Sequence, residues 1–125
     1  MSVLLWIMAG LLAAVFLPAG VMKLVTPYEK LAADPRMGWA QDFSPGMVKT
    51  IGALEVAGAV GVILPGLFGI APVLVPLAAV GLGLVAIGAI ITHLRRSEIP
   101  NTFPLVVFVV MAAIVAWGRF GPYAF

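Results

Sequence analysis

The sequence predicts an all-α membrane protein: a bundle of four transmembrane helices with a short interfacial helix between the first and second spans. Three observations carry that prediction. Of 125 residues, 63% are hydrophobic and 10% charged, and a water-soluble domain this small needs far more polar surface. The apolar residues gather in four blocks, each near the roughly 20 residues that a helix needs to cross about 30 Å of hydrocarbon. Three segments rich in turn-forming residues separate the blocks. This gives spans at about 3–25, 45–64, 72–94 and 102–118, in one integral membrane domain over residues 1–125.

The first block runs from Val3 to about Val25 with no basic region before it. It is longer than the apolar core of a secretory signal, so it is expected to be retained as a span. Pro18 removes one backbone donor and is expected to bend the helix. The connection that follows, "TPYEKLAADPRMGWAQDFSPG", is the only substantial polar stretch. Thr26, Pro27 and Glu29 read as a capping box, which predicts a short helix from Pro27 to Asp34 that stops at Pro35. Tyr28, Trp39 and Phe43 give the segment interfacial character. Ser44 and Pro45 read as the cap and first position of the second span, and Pro65-Gly66 as its end. Pro72 opens the third span, where Pro76 still lies near the first turn. Asn101 is placed to cap the fourth, which at about 17 residues is just long enough to cross.

The formal charge is only +2, so the placement of the basic residues matters more than their sum. Lys30, Arg36, Arg95 and Arg96 fall in the first and third connections, with Lys23 and Lys49 at the flanking helix ends. The other side has Arg119 and the amino terminus. The positive-inside rule then puts connections one and three in the cytoplasm and both termini outside. Trp6 and Trp117 would mark the outer interface and Trp39 the inner.

Between Lys49 and His93 the only ionisable side chain is Glu55, in "GALEVAG". It lies about ten residues into the second span, near mid-membrane, where an ionised carboxylate costs a few kcal/mol on insertion scales. At about 100° per residue, Glu55 shares a face with Val48, Ile51, Gly52, Gly58, Ala59 and Val62. Glycine and alanine on that face allow close helix approach, so Glu55 is expected to face protein. Ala53, Ala57 and Gly61 make a second ridge of small residues, which suggests that this span is the central helix of the bundle and makes self-association plausible.

Lys23 is the best partner for Glu55. It lies in the last turn of the first span, on a face with Leu12, Phe16, Ala19 and Gly20, and its stem covers much of a vertical offset of about 9 Å. The alternative is that Lys23 snorkels to the interface. Lys49, some 120° around from Glu55, reads as an interface anchor. His93 closes the third span on a face with Ala86 and Ala89. It either points inward as a site residue or caps carbonyls and meets lipid phosphate. Arg95 and Arg96 read as topology determinants.

Several chemistries are set aside. The chain has no cysteine and one histidine, which excludes disulfides, thiolate metal sites and a bis-histidine haem within one chain. No phosphate loop, paired catalytic carboxylates, activated serine or metal-ligand cluster is present in the sequence. No catalytic residue, metal, covalently bound cofactor or nucleic-acid partner is assigned, and enzymatic activity of its own is not the favoured reading. Gly81, Gly83 and Gly88 read as helix-packing contacts.

The segments "LLAAVFLPAGVMKL", "MVKTIGALEVAGAVGVILPG" and "AIGAIITHLRRSE" together resemble the DoxX-like family of small four-helix membrane proteins. The resemblance runs from about Leu11 to Trp117 and lies in the order of Gly20 and Lys23, then Gly52, Glu55 and Gly58, then His93. It implies a four-helix bundle in the plasma membrane. Some relatives accompany sulfur-metabolising or quinone-reducing oxidoreductases, where the membrane subunit is thought to engage quinone; others act as assembly factors for partner membrane proteins.

The expected function is therefore an auxiliary membrane subunit, partner to a membrane oxidoreductase, with a lipophilic small molecule such as a quinone among the helices near Lys23, Glu55 and His93. Lys49, Gly20, Gly52, Gly58 and Trp39 are secondary candidates for the same site. The alternative is a non-enzymatic assembly or structural partner of another membrane protein, whose polar residues set helix register. A small-molecule transporter is the least favoured, because no inverted repeat or broken helix pair is apparent.

Overall fold

The computed structural model describes residues 2–124, with the side chains of residues 3–34, 38–41, 43–100 and 102–124. Its elements are α1 (Ser2–Val25), α2 (Tyr28–Ala33), a 3-10 segment (Pro35–Asp42), α3 (Pro45–Gly61), α4 (Leu64–Phe68), α5 (Leu74–Arg95), a 3-10 turn (Ile99–Thr102) and α6 (Phe103–Phe120). Among the described residues there is no strand. Four helical stretches there are long and apolar enough to cross a membrane: Val3–Val25, Pro45–Phe68, Leu74–Arg95 and Phe103–Phe120.

The long helices close into a ring in which α1 packs on α3, α3 on α5, α5 on α6, and α6 back on α1. Leu5, Leu12, Val62, Val75, Leu82 and Val115 fill its axis, and the Phe16 and Phe108 rings meet edge to face at 5.9 Å. Leu11, Leu54, Leu77, Leu84, Val107 and Val110 point outward and are exposed. An apolar exterior over helices of spanning length belongs in lipid. The protein is a multi-pass membrane bundle.

Local structure departs from the sequence expectations at several points. Ser44 caps α3 as expected, its Oγ accepting from the Met47 amide at 3.1 Å, with Pro45 in the first turn. The capping box at Thr26 does not form. The N-cap of α2 is Pro27, whose side chain has no acceptor, while the Thr26 amide donates to the Met22 carbonyl at 3.0 Å and completes the end of α1. Pro65-Gly66 does not close the second span. The chain turns after Gly61, and Pro65 sits in the first turn of α4, where a missing N–H costs nothing. Gly69, with φ of 68°, ends α4 in the left-handed conformation that glycine adopts freely. Asn101, expected as a cap, has its side chain outside those described; α6 starts at Phe103, and the Thr102 hydroxyl donates back to the Ile99 carbonyl at 2.7 Å.

Nor is α3 a central helix. Ala53 and Ala57 are exposed, and α3 occupies one place in the ring like the other three. Gly61 alone of that ridge faces a neighbour, Ala78, so close that a Cβ would sit 2.8 Å from the alanine methyl. The first connection is folded against the bundle. Leu31, Ala40 and Val48 form a second small core with Tyr28, Trp39 and Phe43 around it. The Tyr28 hydroxyl donates to the carbonyls of Ala40 at 3.1 Å and Phe43 at 2.7 Å. This places Trp39 beneath the end of the bundle where α1 finishes.

Candidate functional site

The site begins at the crossing of α1 and α3, where Gly20 and Gly52 lie back to back. A Cβ on Gly20 would come within 2.6 Å of the Gly52 carbonyl oxygen, and one on Gly52 within 2.9 Å of the Gly20 oxygen. Only residues without a side chain permit backbones this close. One turn further along each helix, the approach brings Lys23 and Glu55 together, with Nζ 2.7 Å from Oε1 and side chains only 10% and 6% exposed. The contact is short but lies off the hydrogen-bonding direction, so that Oε1 has no aligned donor among the described residues. The Trp39 ring completes the enclosure, its centroid 5.3 Å from Lys23 Nζ, a cation–π distance.

Lys49 ties α3 to the end of α1. Its Nζ reaches from α3 across to the end of α1 and donates to the carbonyls of Lys23 at 3.0 Å, Leu24 at 2.8 Å and Thr26 at 3.0 Å. The first two belong to the last turn of α1, whose final carbonyls have no partner within the helix and carry its negative dipole end, and Thr26 follows directly on it. Lys49 therefore fixes the backbone that carries Lys23 and acts as a positioning residue. Lys49→Met is expected to lower stability by about 1–3 kcal/mol, the cost of leaving such groups without donors. Thermal unfolding of the detergent-solubilised protein, followed by tryptophan fluorescence, checks this; an unchanged midpoint would remove the role.

Above the ion pair lies a cavity of about 450 Å³ bounded by α1, α3, α5 and α6. Val15, Phe16, Ala19, Val85, Ala86 and Phe108 give it apolar walls, while Lys23, Glu55, Trp39, Thr92, His93 and Arg95 supply its polar groups. Its volume is that of small-molecule sites, roughly 300–1,000 Å³. Of the residues singled out in the sequence, Lys23, Glu55, His93 and Trp39 line this one cavity. Gly20 and Gly52 shape the crossing beside it, and Lys49 braces it from outside. Gly58 belongs elsewhere: a Cβ there would meet Leu82 Cδ2 at 2.5 Å, in the packing of α3 on α5.

His93 does not join the Lys23–Glu55 pair. Its Nδ1 lies 2.7 Å from Glu98 Oε1, and Arg96 Nε lies 3.5 Å from Oε2 of the same carboxylate. The His93 hydrogen bond holds the Glu98 carboxyl below the usual carboxylate range, outweighing partial loss of water, and Arg96 adds to the effect. Glu98, Arg95 and Thr92 were not singled out as site residues. The available signal was the run "THLRRSE", in which a carboxylate follows closely on three basic groups at a helix end. Among the described residues, no three His, Asp or Glu side chains gather as metal ligands.

The sequence model of the DoxX-like family matches residues 7–115 of the chain. No curated protein and no solved structure gives a significant match.

Proposed function

Because the chain belongs to the DoxX-like family and builds a multi-pass membrane bundle, we propose that it is an auxiliary membrane subunit that holds a quinone-like molecule in the cavity between its helices. The observation that carries this reading is the Lys23–Glu55 pair set in the wall of a largely apolar chamber. A quinone carbonyl accepts from the Lys23 ammonium, the hydroxyl of the reduced form donates to Glu55, and the apolar walls take the tail. The binding partner for such a subunit is a membrane oxidoreductase, which performs the electron transfer. A second reading, assembly or structural partnership with another membrane protein or a second copy, is favoured by the exposed small residues Ala53 and Ala57 on the outer side of α3.

Trp39 supplies the test. In a background with Trp6 and Trp117 replaced by phenylalanine, a short-chain benzoquinone or naphthoquinone titrated into nanodisc-reconstituted protein is expected to quench Trp39 saturably. Glu55→Gln is expected to weaken the binding about 10- to 100-fold, the value of a hydrogen bond to a charged group, while circular dichroism and gel-filtration behaviour stay unchanged. Non-saturable quenching, or equal affinity in the folded Glu55→Gln protein, would reject the quinone reading and leave the structural one.

A further inference from the structure

A second cavity of about 550 Å³ opens beside the first, lined by Phe43, Thr92, Arg95 and Arg96. It shares Phe43, Thr92 and Arg95 with the apolar chamber, so the two cavities adjoin at the end of α5. From this we infer that the second cavity is a vestibule for the phosphate group of an anionic phospholipid, with Arg95 as its principal ligand and the lipid chain directed along the apolar chamber.

The charges favour a singly charged anion. Glu55 offsets Lys23, and Glu98 lies against His93 and Arg96. Arg95 is exposed and has no ion pair among the described residues. A planar guanidinium presents two parallel N–H groups to phosphate oxygens, a geometry that an ammonium cannot match. Arg96 bounds the other side of the vestibule, tucked so closely under the first connection that a Cβ on Gly38 would fall 2.8 Å from its Nη2. Basic pockets between spanning helices at the membrane surface suit acidic lipid head groups. An adjoining apolar space distinguishes a lipid from free phosphate, since only the lipid has a chain to place there. The inference does not depend on what fills the inner end of the chamber.

The test uses the full chain in a neutral maltoside detergent, with the thermal midpoint and native mass spectrometry as readouts. Phosphatidylglycerol is expected to raise the midpoint and to remain bound in the mass spectrum, whereas phosphatidylcholine of the same chains is not. Arg95→Gln is expected to unfold at the wild-type midpoint without lipid, because the side chain is exposed, and to bind phosphatidylglycerol roughly fivefold more weakly. Arg95→Lys is expected to fall between the two. Equal binding of the two lipids, or undiminished phosphatidylglycerol binding by Arg95→Gln, would overturn the site. Inorganic phosphate that stabilises as much as phosphatidylglycerol would overturn the lipid as its occupant.

Discussion

Glu55→Leu is expected to destabilise the bundle by about 3–5 kcal/mol, whereas the double variant Lys23→Met/Glu55→Leu is expected to recover most of that loss. The asymmetry arises because the pair is 2.7 Å apart and nearly sealed from solvent. Removing one member leaves the other buried without a counter-charge, while replacing both with apolar side chains of similar bulk removes the desolvation cost along with the attraction. Unfolding in mixed micelles at increasing denaturing detergent, for the two singles and the double, gives the coupling directly. A Glu55→Leu loss below about 1 kcal/mol would mean that Lys23 reaches water on its own. The double variant also separates structure from binding: it is expected to keep the fold and to lose the Trp39-detected quinone affinity, because the polar wall of the chamber is gone.

Glycine substitutions at the α1–α3 crossing are expected to rank next. A Cβ at Gly20 would meet the Gly52 oxygen at 2.6 Å and the Val56 amide nitrogen at 2.9 Å. Both are backbone atoms that cannot rotate aside, so the helices must part, and overpacking of this kind costs about 1–3 kcal/mol or more. At Gly58 the clash is with the Leu82 side chain, Cδ2 at 2.5 Å and Cγ at 2.7 Å, and not with backbone, so a side chain rather than a helix has to shift. At Gly88 a Cβ would meet nothing within 4 Å. The expected order of destabilisation by alanine is therefore Gly20 first, Gly58 second and Gly88 near zero or slightly stabilising. The same unfolding assay decides it. Gly20→Ala should also weaken quinone binding, since parting the helices draws Lys23 away from Glu55; Gly58→Ala equalling Gly20→Ala in both measurements would show that the crossing is not special.

The partner of Glu55 was legible because the reasoning needed only helical rise, helical period and side-chain reach, which are the same in any helix. The face carrying Gly52, Ala59 and Val62 is buried as that period requires. The carbonyl contacts of Lys49 were not legible in the sequence, for a specific reason. Its direction around α3 points away from Glu55, as expected, but the partners there are carbonyls of another helix, and no periodicity in α3 announces where α1 ends. His93 was open between inward and capping roles; its contact with Glu98 depends on how the chain turns after Arg96, where Ser97 adopts a positive φ of 58°. That turn is a local backbone choice outside any helix pattern.

Composition and hydropathy, which act residue by residue, were sufficient for the membrane class and the four spans, and the helical period for the inward direction of Glu55. Which helices adjoin, how closely two glycines let α1 and α3 approach, and which carbonyls a lysine stem finds were decided only in three dimensions. The physical reason is that burial of apolar surface is non-directional and can be summed along a chain, whereas ion pairs and caps act over a few ångströms between atoms far apart in sequence. The shared chamber of Lys23, Glu55, Trp39 and His93 is a product of that second kind of interaction.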